Sequence, residues 1–256
     1  MITALHKFIT NPNSFPFILA HNLDKKINGY SRPHYYHIVQ NAVTEAKALG
    51  LSRISILEFG VAGGNGLVEL EQIAKKFQTR LGVNIDVYGF DTGAGLPKPI
   101  DHRDLPFQWQ EGFFQMNVEQ LESRLDSAEL VLGNVSTTVP EFLQRDDLAP
   151  IGAIAFDLDY YSSTVDALKI FNASEKTRLP RVFCYFDDAY CIAELGVNLA
   201  VSEFNQESET RKLSNPLGLT HSPKTRDWGW KIFEFHDFQH SEYNTVMVTD
   251  DQLKLS

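Results

Sequence analysis

An α/β fold is predicted, with a doubly wound, mostly parallel sheet of Rossmann-like type and a C-terminal antiparallel strand pair. Three observations carry it. Short apolar runs alternate with stretches of helical periodicity from residue 54 to about residue 204, the pattern of successive strand–helix–strand units with right-handed crossovers. The first run breaks into glycines before its helix, as Ile54-Ser-Ile-Leu-Glu-Phe-Gly-Val-Ala-Gly-Gly-Asn-Gly66. In an open parallel sheet such a turn lies at the carboxyl end of its strand, where ligands bind. The last two apolar runs are joined by too little chain for a crossover and read as an antiparallel hairpin.

The elements follow in order along one domain spanning residues 1–256. Residues 1–50 are expected to form an N-terminal helical arm. It is irregular up to about residue 30, then helical from Arg32-Pro33 to Leu49, with Gly50 as a C-terminal cap. The first strand opens at Ile54, and its helix covers residues 67–77. Residues 85–90 make a second strand that ends at Asp91. Residues 92–115 form a long link rich in Gly, Pro and aromatics (Phe107, Trp109, Phe113, Phe114). Links of that length are usually functional or mobile, so this one reads either as a substrate-covering loop or as a packed surface loop. A helix is expected over residues 117–125 and a third strand over 129–132. Residues 152–156 form a fourth strand, ending at Asp157, and Ser162 or Ser163 is placed to cap a helix over 164–171. A fifth strand covers 181–186 and ends at Asp187-Asp188, with a helix around 193–204 after it. Residues 207–228 look loop-like, and strands at 230–235 and 245–248 close the chain.

At 256 residues and 43% hydrophobic, the chain can bury a sizeable core. A formal net charge of -10 argues against nucleic acid or an anionic membrane surface as partner and favours cationic guests. Cys184 and Cys191 make neither a disulfide framework nor a zinc set, which points to a reducing, cytoplasmic setting. No signal peptide is expected, because the apolar stretch Phe15 to Leu19 is short and carries Pro16. No apolar run approaches membrane-spanning length. The sequons beginning at Asn134 and Asn172 read as chance occurrences. The aromatics Phe15, Phe17, Tyr30, Tyr35 and Tyr36 offer a surface for a second copy of the chain.

The chemistry lies in the acids. Four strands stop at or just after a carboxylate: Glu58, Asp91, Asp157, and Asp187 with Asp188. One acid at a strand end is ordinary turn chemistry. Four such ends on one sheet edge gather charges whose repulsion is costly unless a cation offsets it. A dinucleotide fingerprint needs G-x-G-x-x-G. Here the glycines run Gly60-Val-Ala-Gly63-Gly64-Asn-Gly66, and Glu58 would repel a pyrophosphate. S-adenosylmethionine fits better, because it carries a sulfonium and an ammonium and no phosphate. Asp91 can accept from its ribose hydroxyls, the role a second-strand acid plays for NAD. Gly60, Gly63 and Gly64 permit close approach of the backbone, and Asn134, just past the third strand, joins this cosubstrate set. Asp157, Asp187 and Asp188, with no thiol beside them, suit a hard ion, Mg²⁺ before Ca²⁺ or Mn²⁺. Asp159, two residues from Asp157, shares its face in an extended segment.

Four stretches carry a family resemblance: Glu58-Phe-Gly-Val-Ala-Gly-Gly64, Gly89-Phe-Asp-Thr-Gly-Ala-Gly-Leu-Pro97, Asp157-Leu-Asp-Tyr-Tyr-Ser-Ser-Thr164 and Phe186-Asp-Asp188. In this order they resemble the macrocin O-methyltransferase family of class I, S-adenosylmethionine-dependent enzymes, over roughly residues 54–190. The resemblance implies metal ligands at Asp157, Asp187 and Asp188, and cosubstrate contacts at Glu58, Gly60, Gly63 and Asp91. It also implies a small-molecule acceptor, a sugar or natural-product hydroxyl. The chain departs from the family at Leu179-Pro180-Arg181, where members often carry Gly-Gly, and along the link from Thr92 to Gln115.

The expected reaction is methyl transfer to a hydroxyl oriented by the metal. Asp157 serves the metal, and His236, His240 and Tyr190 are the candidate bases by type and position. Tyr160 and Tyr161 either line the acceptor pocket or pack in the core. The rival readings are a nicotinamide-dependent oxidoreductase and a binding protein that keeps the fold without turnover.

Overall fold

The computed structural model describes residues 29–189 and 194–245. The sheet has seven strands: β1 (Arg53–Phe59), β2 (Asn84–Asp91), β3 (Glu129–Leu132), β4 (Ile151–Phe156), β5 (Arg178–Phe186), β6 (Arg211–Ser214) and β7 (Ile232–Asp237). Their order across the sheet is β3-β2-β1-β4-β5-β7-β6. The first five are parallel to one another, while β7 is antiparallel to both β5 and β6. The doubly wound sheet with a C-terminal antiparallel pair is therefore present.

The central strands are apolar on both faces, as strands covered by helices on both sides must be. β4 is buried along its whole length, and β1 after its first residue. Alternation along β1 sends Ile54 and Ile56 to one face and Leu57 and Phe59 to the other, and each face has its own core. The first core is covered by α1 (Pro33–Ala48) and α2 (Asn65–Leu81). The second lies under α4 (Val135–Phe142), α5 (Tyr161–Leu168) and α6 (Gly196–Glu207). The short α3 (Val118–Glu122) precedes β3, and α7 (Leu217–Thr220) follows β6. α1 opens with Pro33 in its first turn, where a missing N–H costs nothing, and Gly50 follows its end with φ +72°.

Three expectations change. The antiparallel partner of β7 is β6, inside the stretch read as a loop; its Leu213 is buried at 3% exposure amid polar neighbours, so no apolar period announced it. Thr245 is irregular, and residues 246–248 lie outside the described ones. No serine side chain caps α5, whose N-cap residue is Tyr160. Ser162 instead donates its N–H and its hydroxyl to the two carboxylate oxygens of Asp104, at 2.8 and 2.9 Å. A buried acid from the long link thus caps that helix and fastens the link to it.

Residues 1–28 of the expected arm, with Phe15 and Phe17, lie outside the described residues. Tyr35 is buried within its own chain, and Tyr36 packs on Phe77. Among the described residues no helix is long and apolar enough to cross a membrane.

The start of β5 and the end of β7 are joined by Arg178 and Asp237, a charge pair with both side chains under 10% exposed. Removing one partner strands the other in a low-dielectric site. Asp237→Ala should lower stability by about 3–5 kcal/mol, read as a fall in the urea midpoint at constant m-value.

Candidate active site

The site is built where the parallel strands end. Phe90, Phe59, Phe156 and Phe186 stand in register at the carboxyl ends of β2, β1, β4 and β5, with neighbouring ring centroids 4.6, 5.4 and 4.4 Å apart. The next residue in each strand is Asp91, Gly60, Asp157 and Asp187 respectively. Phe-Asp therefore recurs at three of these four strand ends, a signal available in the sequence. Because the phenylalanines are aligned, the aspartates are aligned as well.

Gly60 occupies the fourth position because nothing larger fits: an added Cβ would lie 1.6 Å from the backbone carbonyl oxygen of Asp157. The glycine also has φ +84°. Its N–H donates to the Phe90 carbonyl, and the Asp157 N–H donates to that of Phe59, so the strand ends are cross-tied. Gly64 is the N-cap residue of α2 at φ +77°, and Leu121 packs against it.

A cavity of about 310 Å³ opens above the phenylalanines. Gly60, Ala62, Asp91 and Asn134 form one side, and Asp157, Asp159, Asp187 and Asp188 the other. The link 92–115 supplies a further wall through Leu96, Pro97, Trp109 and Phe114. Its Asp104 and Leu105 are fully buried, whereas Phe107 is 73% exposed. The link is thus anchored at its middle and presents aromatic rings both to the cavity and outward.

Of the expected cosubstrate residues, the fold brings Gly60, Asp91 and Asn134 onto the cavity wall. Asp91 also holds the glycine turn, since Oδ2 accepts from the N–H groups of Val61 and Ala62, and Oδ1 from Gly93. Asn134 caps α4 by accepting from Ser136. Glu58, Gly63 and Gly64 are not on that wall. Glu58 lies behind the turn, 2% exposed, where Oε1 accepts from the Tyr35 hydroxyl at 2.6 Å and Oε2 has no hydrogen-bond partner among the described residues. Gly66 makes room for it, because a Cβ there would stand 2.0 Å from Oε1. Burial pushes the Glu58 carboxyl up to about 7, although Tyr35 and Arg32 favour its ionised form.

Asp157, Asp187 and Asp188 each offer a carboxylate oxygen within 4.8 Å of the others. Burial first, then the charges of Asp187, Asp188, Asp159 and Glu58, push Asp157 well above the ordinary carboxylate range. The same two causes raise Asp188 to about 7 and Asp159 to about 8. Asp159 has a left-handed backbone, φ +59°, and donates its N–H to Asp188 Oδ2. Asp187 goes the other way. Burial would raise it, but Lys231 and the Tyr185 hydroxyl outweigh that and hold it below the ordinary range. Lys231 is a site residue that sequence reasoning missed, since position 231 looks like any residue of the last strand. The donor set is all carboxylate, crowded and only partly neutralised, and it fits a hard divalent cation.

Neither candidate histidine reaches the cavity. β7 runs against its neighbours, so its carboxyl end lies where the parallel strands begin, and His236 pairs with Arg181 near the start of β5. His236 is held between Ser214 and Tyr243 there, and His240 contacts the carbonyls of Glu175 and Arg178. The expectation that either acts as the base is corrected by strand direction. Tyr190 lies outside the described residues. Tyr160 is fully buried, and Tyr161 donates to Glu203, so neither lines the cavity.

No family model matches the chain, and no curated protein sequence matches it. Among solved structures, the crystal structure of CalS11, calicheamicin methyltransferase, is 20% identical with a TM-score of 0.58, over 91% of this chain and 90% of that one. An apo structure of CalS11, described as TDP-rhamnose 3'-O-methyltransferase, is 19% identical over 78% of each chain, at TM-score 0.47. An O-methyltransferase from Bacillus cereus in complex with SAH is 11% identical over 85% of this chain and 96% of that one, at 0.43. The first of these likenesses shows a shared fold.

Two outcomes follow from the geometry. Gly60→Ala should cost at least about 3 kcal/mol in urea unfolding, because the new methyl group meets backbone on an adjacent strand. Glu58, Asp188 and Asp159 bind protons more tightly in the folded chain, with values of about 7, 7 and 8. Their stabilising effect is present at low pH and is lost as pH rises from about 4 through those values. In EDTA, the Tm should fall between pH 5 and 8.

Proposed function

We propose that the chain is an S-adenosylmethionine-dependent O-methyltransferase that uses Mg²⁺ and acts on a hydroxyl of a small molecule, a sugar or natural-product intermediate. One observation carries the proposal: a single cavity joins the glycine turn and Asp91 on one side to Asp157, Asp187 and Asp188 on the other. Both sides favour cations, and the sulfonium donor and the metal ion are both cationic guests. The class I methyltransferase fold supports the same cosubstrate.

In this reading Gly60 and Ala62 let the cosubstrate lie against the backbone, and Asp91 and Asn134 present polar atoms to it. Asp157, Asp187 and Asp188 would hold Mg²⁺, which when bound lowers the pKa of an acceptor hydroxyl and orients it. S-adenosylmethionine would supply the methyl group to the acceptor oxygen, its carbon–sulfur bond giving way and S-adenosylhomocysteine being the product. Much of the acceleration is positioning by a rigid strand edge. Trp109 and Phe114 close the side of the cavity and exclude water. Asp159 lines the cavity outside the proposed ligand set and is the candidate to receive the hydroxyl proton.

Calorimetry with S-adenosylhomocysteine, NAD and Mg²⁺ tests the reading. S-adenosylhomocysteine should bind, NAD should not, and Asp157→Asn with Asp188→Asn should abolish Mg²⁺ binding while leaving the nucleoside bound. Binding of NAD alone would falsify the methyltransferase reading in favour of the oxidoreductase, and unaltered Mg²⁺ affinity in the double variant would remove the metal.

A further inference from the structure

The reversed strand brings a lysine into the acidic cluster. Lys231 ends the turn Gly229–Lys231 that leads into β7, and the pairing of Tyr185 with Ile232 sets it beside the end of β5. Its side chain is 9% exposed, and Nζ donates to Asp187 Oδ1 at 2.9 Å and to the Asp187 backbone carbonyl. The Tyr185 hydroxyl donates to the same Oδ1, and the Tyr185 ring is itself stacked on His34 at 4.0 Å. One oxygen of Asp187 is therefore engaged by two donors. A buried ion pair is a weak source of stability, since desolvation offsets its attraction. The ammonium also favours the ionised form of Asp188.

We propose that Lys231, through its contact with Asp187 Oδ1, subtracts one negative charge from the aspartate cluster, so that a divalent cation binds there with moderated affinity. This rests on the cation site proposed above. An ammonium in the same desolvated pocket repels a second cation, so its removal should strengthen cation binding rather than weaken it. A purely structural role for Lys231 predicts the reverse, because an untethered Asp187 would be a poorer ligand.

Mn²⁺ titrated into the full chain at pH 8 decides between them, with free ion read by electron paramagnetic resonance and Tm read alongside. Lys231→Met should bind Mn²⁺ about tenfold tighter than the parent or more, and gain a larger Tm rise from it. Lys231→Arg, which restores the charge, should return to within about threefold of the parent. Lys231→Gln carries the same expectation as Lys231→Met and serves if the apolar variant does not fold. Unchanged or weaker Mn²⁺ affinity in a folded neutral variant overturns the proposal. Absence of Mn²⁺ binding by the parent overturns the cation site as well, whereas binding without tightening overturns only the role of Lys231.

Discussion

The site depends on how closely the first and fourth strands approach where they end. The carbonyl oxygen of Asp157 stands where a Cβ of residue 60 would be, which leaves glycine as the residue that permits the pairing. That contact goes with the register of β1 against β4 that aligns Phe59 with Phe156, and the pairing of β1 with β2 aligns Phe59 with Phe90. Shifting one strand by a residue would send its phenylalanine to the other face and its acid out of line. Packing and chemistry are fixed by the same contact.

The phenylalanine row has two consequences. Burying those rings stabilises the central strands. It also removes water from beneath the carboxylates, and desolvation is the first cause of the raised proton affinity of Asp157, Asp159 and Asp188. The fold answers this charge unevenly. Asp91 accepts three backbone N–H groups, Asp188 accepts one, and Asp187 has Lys231 and Tyr185. Among the described residues no hydrogen bond reaches the Asp157 carboxylate. The acid with least internal compensation stands at the centre of the sheet edge, where a cation would offset most.

Elements distant in sequence complete the cavity. The link after β2 is pinned by Asp104 to the start of α5, so the chain segment that walls the cavity also caps the first turn of a helix that follows β4. The reversed β7 delivers Lys231 at its beginning and carries His236 and His240 away at its end. One strand direction thus decides which of these three basic residues takes part.

The sequence by itself determined the parallel strands, the glycine turn and the acids that end the strands, because period, punctuation and residue type are local properties. Gly60, Asp91, Asp157, Asp187 and Asp188 were legible for that reason. Asp159 was legible as a neighbour of Asp157, though its left-handed backbone was not. Tertiary structure decided the rest. The edge strand with Leu213 is too short and polar to show a period, and Glu58 turned behind the glycine loop because Tyr35, on another helix, receives it there. The place of Lys231 and of the histidines follows from the direction in which β7 pairs with β5. Pairing direction is a long-range choice, made by which faces can be buried together, and no window of residues contains it.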